Sequence, residues 1–154
     1  MPGNRKAIRL KNYDYTQQGA YYVTVCVHDR KCIFGDVQDD EMVLSDMGKI
    51  AEFTWMDLSR HNTNIKLDKF IVMPNHLHGI IKIVREGHGL PEIVRQFKTF
   101  TAKRINQTNQ TQGSRLWQRN YYEHVIRDED DLNRIREYII NNAMKWEEDE
   151  YYPG

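Results

Sequence analysis

The stretch from Lys66 to Val84 constrains the fold most. Two β-rich runs, Lys66–Met73 and His76–Val84, are separated only by Pro74-Asn75. Both residues favour a tight turn, and so short a connection pairs the two runs as antiparallel neighbours. Upstream, Gly19-Ala20 leads into Tyr21–Val27, another run of strand-forming residues, and Cys32–Leu44 reads as a short hairpin excursion. Ser45 is a good N-cap for a helix over Asp46–Arg60, in which Met47, Ile50, Ala51, Phe53, Thr54 and Leu58 recur at roughly helical spacing. After Gly87 and Gly89, Pro91 suits the first turn of a second helix, with Ile93, Val94, Phe97, Phe100, Thr101 and Ile105 on its inward stripe. Arg95 and Lys98 then fall toward solvent.

Arg115–Ile126 contains another extended segment, and Asp128 caps a last helix whose first turn carries three more acids. The order is strand, helix, strand, strand, helix, strand, then an extra helix. This predicts an α+β chain of ferredoxin-like βαββαβ type, an antiparallel sheet with helices on one face and a C-terminal helix added. The chain has 154 residues, 40% of them hydrophobic and 29% charged, which suits one globular domain over 1–154 and excludes disorder.

Cys26 and Cys32 are too few for a disulfide scaffold and fit no zinc or redox spacing, so Cys26 is expected as a reduced core residue. No run approaches the roughly 18 apolar residues of a membrane span, and basic Met1–Lys11 has no apolar stretch behind it to act as a signal peptide. A cytoplasmic, nucleoid-associated protein is expected. The formal net charge is zero, yet charge is segregated. Cations gather at Arg5, Lys6, Arg9 and Lys11, at Arg95, Lys98, Lys103 and Arg104, and at Arg115, Arg119 and Arg127, while acids gather at 128–131 and 147–150. A local basic surface binds phosphates whatever the total charge.

In His76-Leu77-His78-Gly79-Ile80-Ile81-Lys82-Ile83, alternation puts Leu77, Ile81 and Ile83 on one face. His76 and His78 share the other, about 7 Å apart along the strand. Two imidazoles so placed can converge on a cation. The same spacing also occurs in ordinary surface or half-buried histidines, so alone it leaves both readings open.

On the last helix Leu132, Ile135, Ile139 and Ala143 form the buried stripe, and Tyr138 sits on its flank. Asn142, four residues on, lies one turn along nearly the same face. Tyrosine and amide can therefore face one pocket, although an amphipathic tyrosine at a core boundary fits equally. Tyr121 and Tyr122 are alternative nucleophiles that read better as core residues or as stacking surfaces for bases beside arginines.

Taken in order, these pieces resemble the single-tyrosine HUH transposase family, and within it the REP-associated tyrosine transposases. The resemblance runs through Ile8-Arg9-Leu10, Tyr13-Asp14-Tyr15, Gly19–Thr24, Val72–His78, Phe97-Lys98, Trp117-Gln118-Arg119, Tyr122–Arg127 and Glu137–Asn142. It implies an HUH endonuclease fold, His76 and His78 as ligands of a divalent cation, Mg²⁺ or Mn²⁺, Asn142 as third ligand and Tyr138 as nucleophile. Ala143 departs from the proline that relatives usually carry there. The implied reaction cleaves and rejoins single-stranded or hairpin DNA of repetitive-extragenic-palindrome type by transesterification through a 5′-phosphotyrosine. The alternative is a domesticated protein that binds hairpins without cutting. Arg95, Lys98, Lys103, Arg104, Arg119 and Arg127 are the candidate DNA-backbone contacts. Glu123 and His124 are candidates to assist proton transfer if the fold brings them close. A homodimer is left open by the resemblance, since mobile-element relatives share active sites through the tyrosine helix.

Overall fold

The computed structural model describes residues 18–111 and 113–154. The basic cluster Arg5, Lys6, Arg9 and Lys11 and the pieces Ile8-Arg9-Leu10 and Tyr13-Asp14-Tyr15 lie outside the described residues. The strands are β1 (Gly19–Cys26), β2 (Gly35–Gln38), β3 (Glu41–Leu44), β4 (Ile65–Met73), β5 (His76–Ile83) and β6 (Tyr122–Ile126). The helices are α1 (Asp46–His61), α2 (Leu90–Asn109) and α3 (Glu129–Ile140). The main sheet is antiparallel in the order β4-β5-β1-β6, and β2 and β3 form the separate hairpin. β5 lies between β1 and β4, the split arrangement of a ferredoxin-like βαββαβ unit.

The predicted caps form. Ser45 Oγ accepts from Gly48 N–H at 3.1 Å and donates to the Ile33 carbonyl at 2.7 Å. Asp128 Oδ1 accepts from Asp131 N–H at 2.8 Å. Strand alternation then sorts the side chains. Tyr21, Val23, Val25, Leu77, Ile81 and Ile83 face α1 and α2 in the main core. Gly79 shares that face because Trp55 needs the room: a Cβ there would lie 2.3 Å from the indole ring. Trp55 is fully buried, whereas Phe53, expected on the inward stripe of α1, is exposed. The stripe is rotated toward Trp55 and leaves Phe53 to pack under the Arg104 guanidinium, 5.2 Å from its ring centre. Phe100, also expected inward, is half-buried and carries the same guanidinium at 5.9 Å.

The opposite face of the sheet carries Tyr22, Thr24, Cys26, His76, His78 and Ile80, and α3 packs there through Ile135 and Ile139 against Tyr22 and Ile80. A β-bulge between Leu67 and Phe70 breaks the β4–β5 register and contains Asp68. Asp68 accepts two hydrogen bonds from Arg136 of α3, at 2.9 and 2.7 Å, and pairs with Lys82 at 3.0 Å. Arg136, Lys69 N–H and Lys82 hold its carboxyl well below the usual carboxylate range, against the opposing effect of burial. Asp68→Asn is expected to cost about 2 kcal/mol, read as a lower denaturant midpoint. A depressed carboxyl stabilises fully above the unfolded-state value near pH 4 and loses that contribution as pH falls below it. The gap between wild type and variant is therefore expected to close on acidification below about pH 4.

Candidate functional site

Strand β5 delivers His76 and His78 side by side beneath α3. Their Nε2 atoms are 3.0 Å apart and both rings are buried. Burial pushes both imidazoles down, His76 well below its ordinary value and His78 to about 3; His78 adds to the effect on His76. Both are thus neutral at pH 7, the form that ligates metals.

Each ring is oriented from behind. His76 Nδ1–H donates to Asn75 Oδ1 at 2.8 Å. Asn75 Nδ2 is committed to the carbonyls of Tyr151, at 2.8 Å, and Arg30, at 3.3 Å, so its oxygen is free to accept. That fixes the His76 proton on Nδ1 and leaves the Nε2 lone pair facing the site. His78 Nδ1 lies 2.8 Å from both the Tyr22 and Thr24 hydroxyls, which can donate or accept. His78 can therefore also present an Nε2 lone pair.

Tyr138 closes the site from α3, its ring centre 5.5 Å from that of His78. Burial, then the acids Asp149 and Glu150, push its hydroxyl up to about 12, while the Asn142 amide acts in the other direction. Helix α3 ends at Ile140, so Asn142 reaches the site from the turn beyond the helix rather than from a further helical turn. It is buried, its Nδ2 donates to Asp149 Oδ2 at 3.2 Å, and its Oδ1 has no hydrogen-bond partner. Ala143 packs beside it with Cys26, Met73, Trp146 and Tyr151.

Two features escaped the sequence reading. Asp149 folds back from the acidic run 147–150, and its Oδ2 lies 3.9 Å from His76 Nε2. His76, His78 and Asp149 offer ligand atoms all within 4.8 Å of one another. Tyr151 follows and lies over His76, ring centres 4.5 Å apart. The second feature is a groove of about 260 Å³ beside Tyr138, lined by Arg134, Glu137, Tyr138, Asn141, Asn142 and Lys145. It holds cations next to the tyrosine that charge clustering along the chain did not single out. An acid inside an acidic run next to Trp146 and Tyr151 was the available signal for Asp149.

The other candidates are dispersed. Arg95, Lys98, Lys103 and Arg104 belong to α2, on the sheet face away from the histidines. Arg95 is exposed and pairs with Glu92. Lys98, expected to point into solvent, donates to the carbonyls of Gln118, Arg119 and Asn120 at 2.9, 2.9 and 3.3 Å. Arg104 donates to Thr54 Oγ1 at 2.9 Å, and Lys103, Arg119 and Arg127 are exposed. Glu123 pairs with Val23 across the strands and so shares the α1/α2 face, away from the histidines. His124 lies on the histidine face, where its Nε2 is 2.8 Å from Asp131 Oδ2. Tyr121 is buried in the main core, and Tyr122 packs edge-on against Tyr22.

The histidine spacing fits a hard divalent ion. Ligands about 2.1 Å from a six-coordinate centre lie about 3.0 Å apart when adjacent, the distance between the two Nε2 atoms. The orphaned Asn142 oxygen is of the neutral donor type such an ion takes.

Comparison with known proteins finds relatives in sequence and in fold. An uncharacterised Haemophilus influenzae protein is 36% identical, over 97% of this chain and 93% of its own length. A second protein from that organism, provisionally named a REP-associated tyrosine transposase, is 25% identical over 88% of this chain and 77% of its own. The solved structure of a REP-associated tyrosine transposase bound to a REP hairpin superposes with a TM-score of 0.68 at 18% identity, covering 90% of this chain and 74% of the other. A provisionally named Deinococcus radiodurans transposase gives 0.57 at 20% identity, covering 86% and 97%. The family model described as IS200-like transposase matches residues 16–142, and on that match the chain belongs to the IS200-like transposase family.

Proposed function

We propose that this chain is a Mg²⁺- or Mn²⁺-dependent enzyme that cleaves and rejoins single-stranded, hairpin-containing DNA through Tyr138. The observation that carries the reading is the meeting of buried His76, His78 and Asn142 with half-buried Tyr138, from three segments, in one cluster. A hairpin of repetitive-extragenic-palindrome type is the substrate class, by analogy with the relative whose structure holds a REP hairpin.

His76, His78 and Asn142 would hold the cation, which polarises the scissile phosphate and offsets its charge. The Tyr138 oxygen attacks phosphorus, forming the Oη–P bond as the P–O3′ bond breaks. The phenol proton passes to solvent, and the departing 3′ oxygen takes one up from solvent and ends as a hydroxyl. Attack by a 3′-hydroxyl on the phosphotyrosine reverses the exchange and frees Tyr138. One phosphoester replaces another, so rejoining needs no ATP. His78 and Asn142 fix the position of the tyrosine at the side of the groove. Arg134 and Lys145 line the groove beside the nucleophile and suit the phosphates flanking the scissile bond. The exposed Arg95, Lys103, Arg119 and Arg127 are left for more distant backbone contacts.

The test uses 5′- and 3′-labelled single-stranded hairpin DNA with Mn²⁺ or Mg²⁺. A denaturing gel is expected to show a protein–DNA adduct carrying the label downstream of the cut, with phosphate mapped to Tyr138 by mass spectrometry. Hairpin binding without adduct across a broad repeat set would favour the binding protein instead.

A further inference from the structure

The geometry points to Asp149 as a fourth, anionic donor to the cation of this site, supplied by the segment that follows the tyrosine helix. This rests on the metal-dependent reading above. Around a six-coordinate ion with bonds of about 2.1 Å, ligand atoms lie about 3.0 Å apart when adjacent and about 4.2 Å when opposite. The His76–His78 separation of 3.0 Å and the His76–Asp149 separation of 3.9 Å fall within that span. The ligand atoms of all three lie within 4.8 Å of one another, close to the span of one coordination shell.

The carboxylate is held ready for this. Oδ1 accepts from Tyr151 N–H at 2.8 Å and Oδ2 from Asn142 Nδ2 at 3.2 Å. The side chain is 1% exposed and faces the His76 imidazole. A buried carboxylate is costly unless a cation compensates it. The Asn142 amide that donates to it keeps a buried Oδ1 without a hydrogen-bond partner.

Charge balance favours the same assignment. Two imidazoles and an amide leave a divalent ion with its full charge of two. Asp149 reduces that to one, and a bound phosphodiester neutralises the remainder. The carboxylate also brings the site to two nitrogen and two oxygen donors and so moves it toward Mg²⁺ and Mn²⁺.

The experiment measures Mn²⁺ binding to the full chain by calorimetry and by the electron paramagnetic resonance of free Mn²⁺, without DNA. Asp149→Asn keeps the acceptor for Tyr151 N–H but removes the charge, and is expected to weaken Mn²⁺ by at least about tenfold. Asp149→Glu restores the charge on a longer stem and is expected to bind more tightly than Asp149→Asn. Circular dichroism and thermal melting check that each variant folds, and Asp149→Glu carries the test if Asp149→Asn does not. A carboxylate that merely covers the histidines predicts the opposite, since removing its charge leaves Mn²⁺ affinity unchanged or raises it. That result overturns the assignment while leaving the metal-dependent reading intact. A wild-type chain that binds no Mn²⁺ fails both.

Discussion

Tyr138→Phe is expected to eliminate strand cleavage and adduct formation, by roughly 10⁴-fold or more in single-turnover rate, while folding and hairpin binding stay near wild type. Phenylalanine preserves the ring that packs 5.5 Å from His78 and removes only the hydroxyl. Unlike a histidine variant, it leaves every proposed metal donor in place. The wild-type pH profile should carry the same signature. Burial and the neighbouring acids push the Tyr138 hydroxyl up to about 12. With the pKa raised, the phenolate is a minor form at neutral pH, and its share grows about tenfold per pH unit below that value. Cleavage by wild type is therefore expected to rise between pH 7 and 9, with a slope shallower than tenfold where the cation already draws the proton off. An adduct persisting in Tyr138→Phe would move the nucleophile to another residue. Tyr122, on the histidine face, would be examined first, ahead of core-buried Tyr121.

What could be read from the chain alone follows the range of the forces involved. The shared face of His76 and His78 is dictated by strand alternation, which no tertiary contact can change while β5 remains a strand. The strand and helix order was equally local, set by Ser45 and Asp128 as caps and by Pro74-Asn75 as the turn. Tyr138 and Asn142 were legible as a pair. The reason differs in part, because α3 stops at Ile140 and the turn after it swings Asn142 inward. Asp149 was hidden because its approach to His76 spans nearly half of the chain, and an acidic run by itself reads as solvated surface. The α2 cations illustrate a related limit. Helical periodicity gives the side of the helix that faces the sheet, but only topology says which side of the sheet the helix covers. Here α1 and α2 share the face opposite the histidines, and Arg134 and Lys145 line the groove beside the tyrosine.

His78→Ala is expected to lower Mn²⁺ affinity by more than about 100-fold, and cleavage with it, because it removes one of the two proposed nitrogen donors outright. The hydroxyls of Tyr22 and Thr24, each 2.8 Å from His78 Nδ1, then orient nothing, so the second layer cannot compensate for the loss. His76→Ala should behave alike, with Asn75 left holding only the Tyr151 and Arg30 carbonyls. Thermal melting separates a lost ligand from a collapsed site. A cation that binds only the folded chain stabilises it by about 2.7 kcal/mol at a hundred times its Kd. Mn²⁺ should accordingly raise the Tm of wild type and of Tyr138→Phe, and leave that of folded His78→Ala unmoved. Chelation of wild type should abolish cleavage reversibly, with Mg²⁺ or Mn²⁺ restoring it. Full cleavage in chelator, or an undiminished Mn²⁺ response in His78→Ala, would mean that the buried imidazole pair serves packing alone. The hydroxyl of Tyr138, raised to about 12, would then have to be activated by a group outside this cluster.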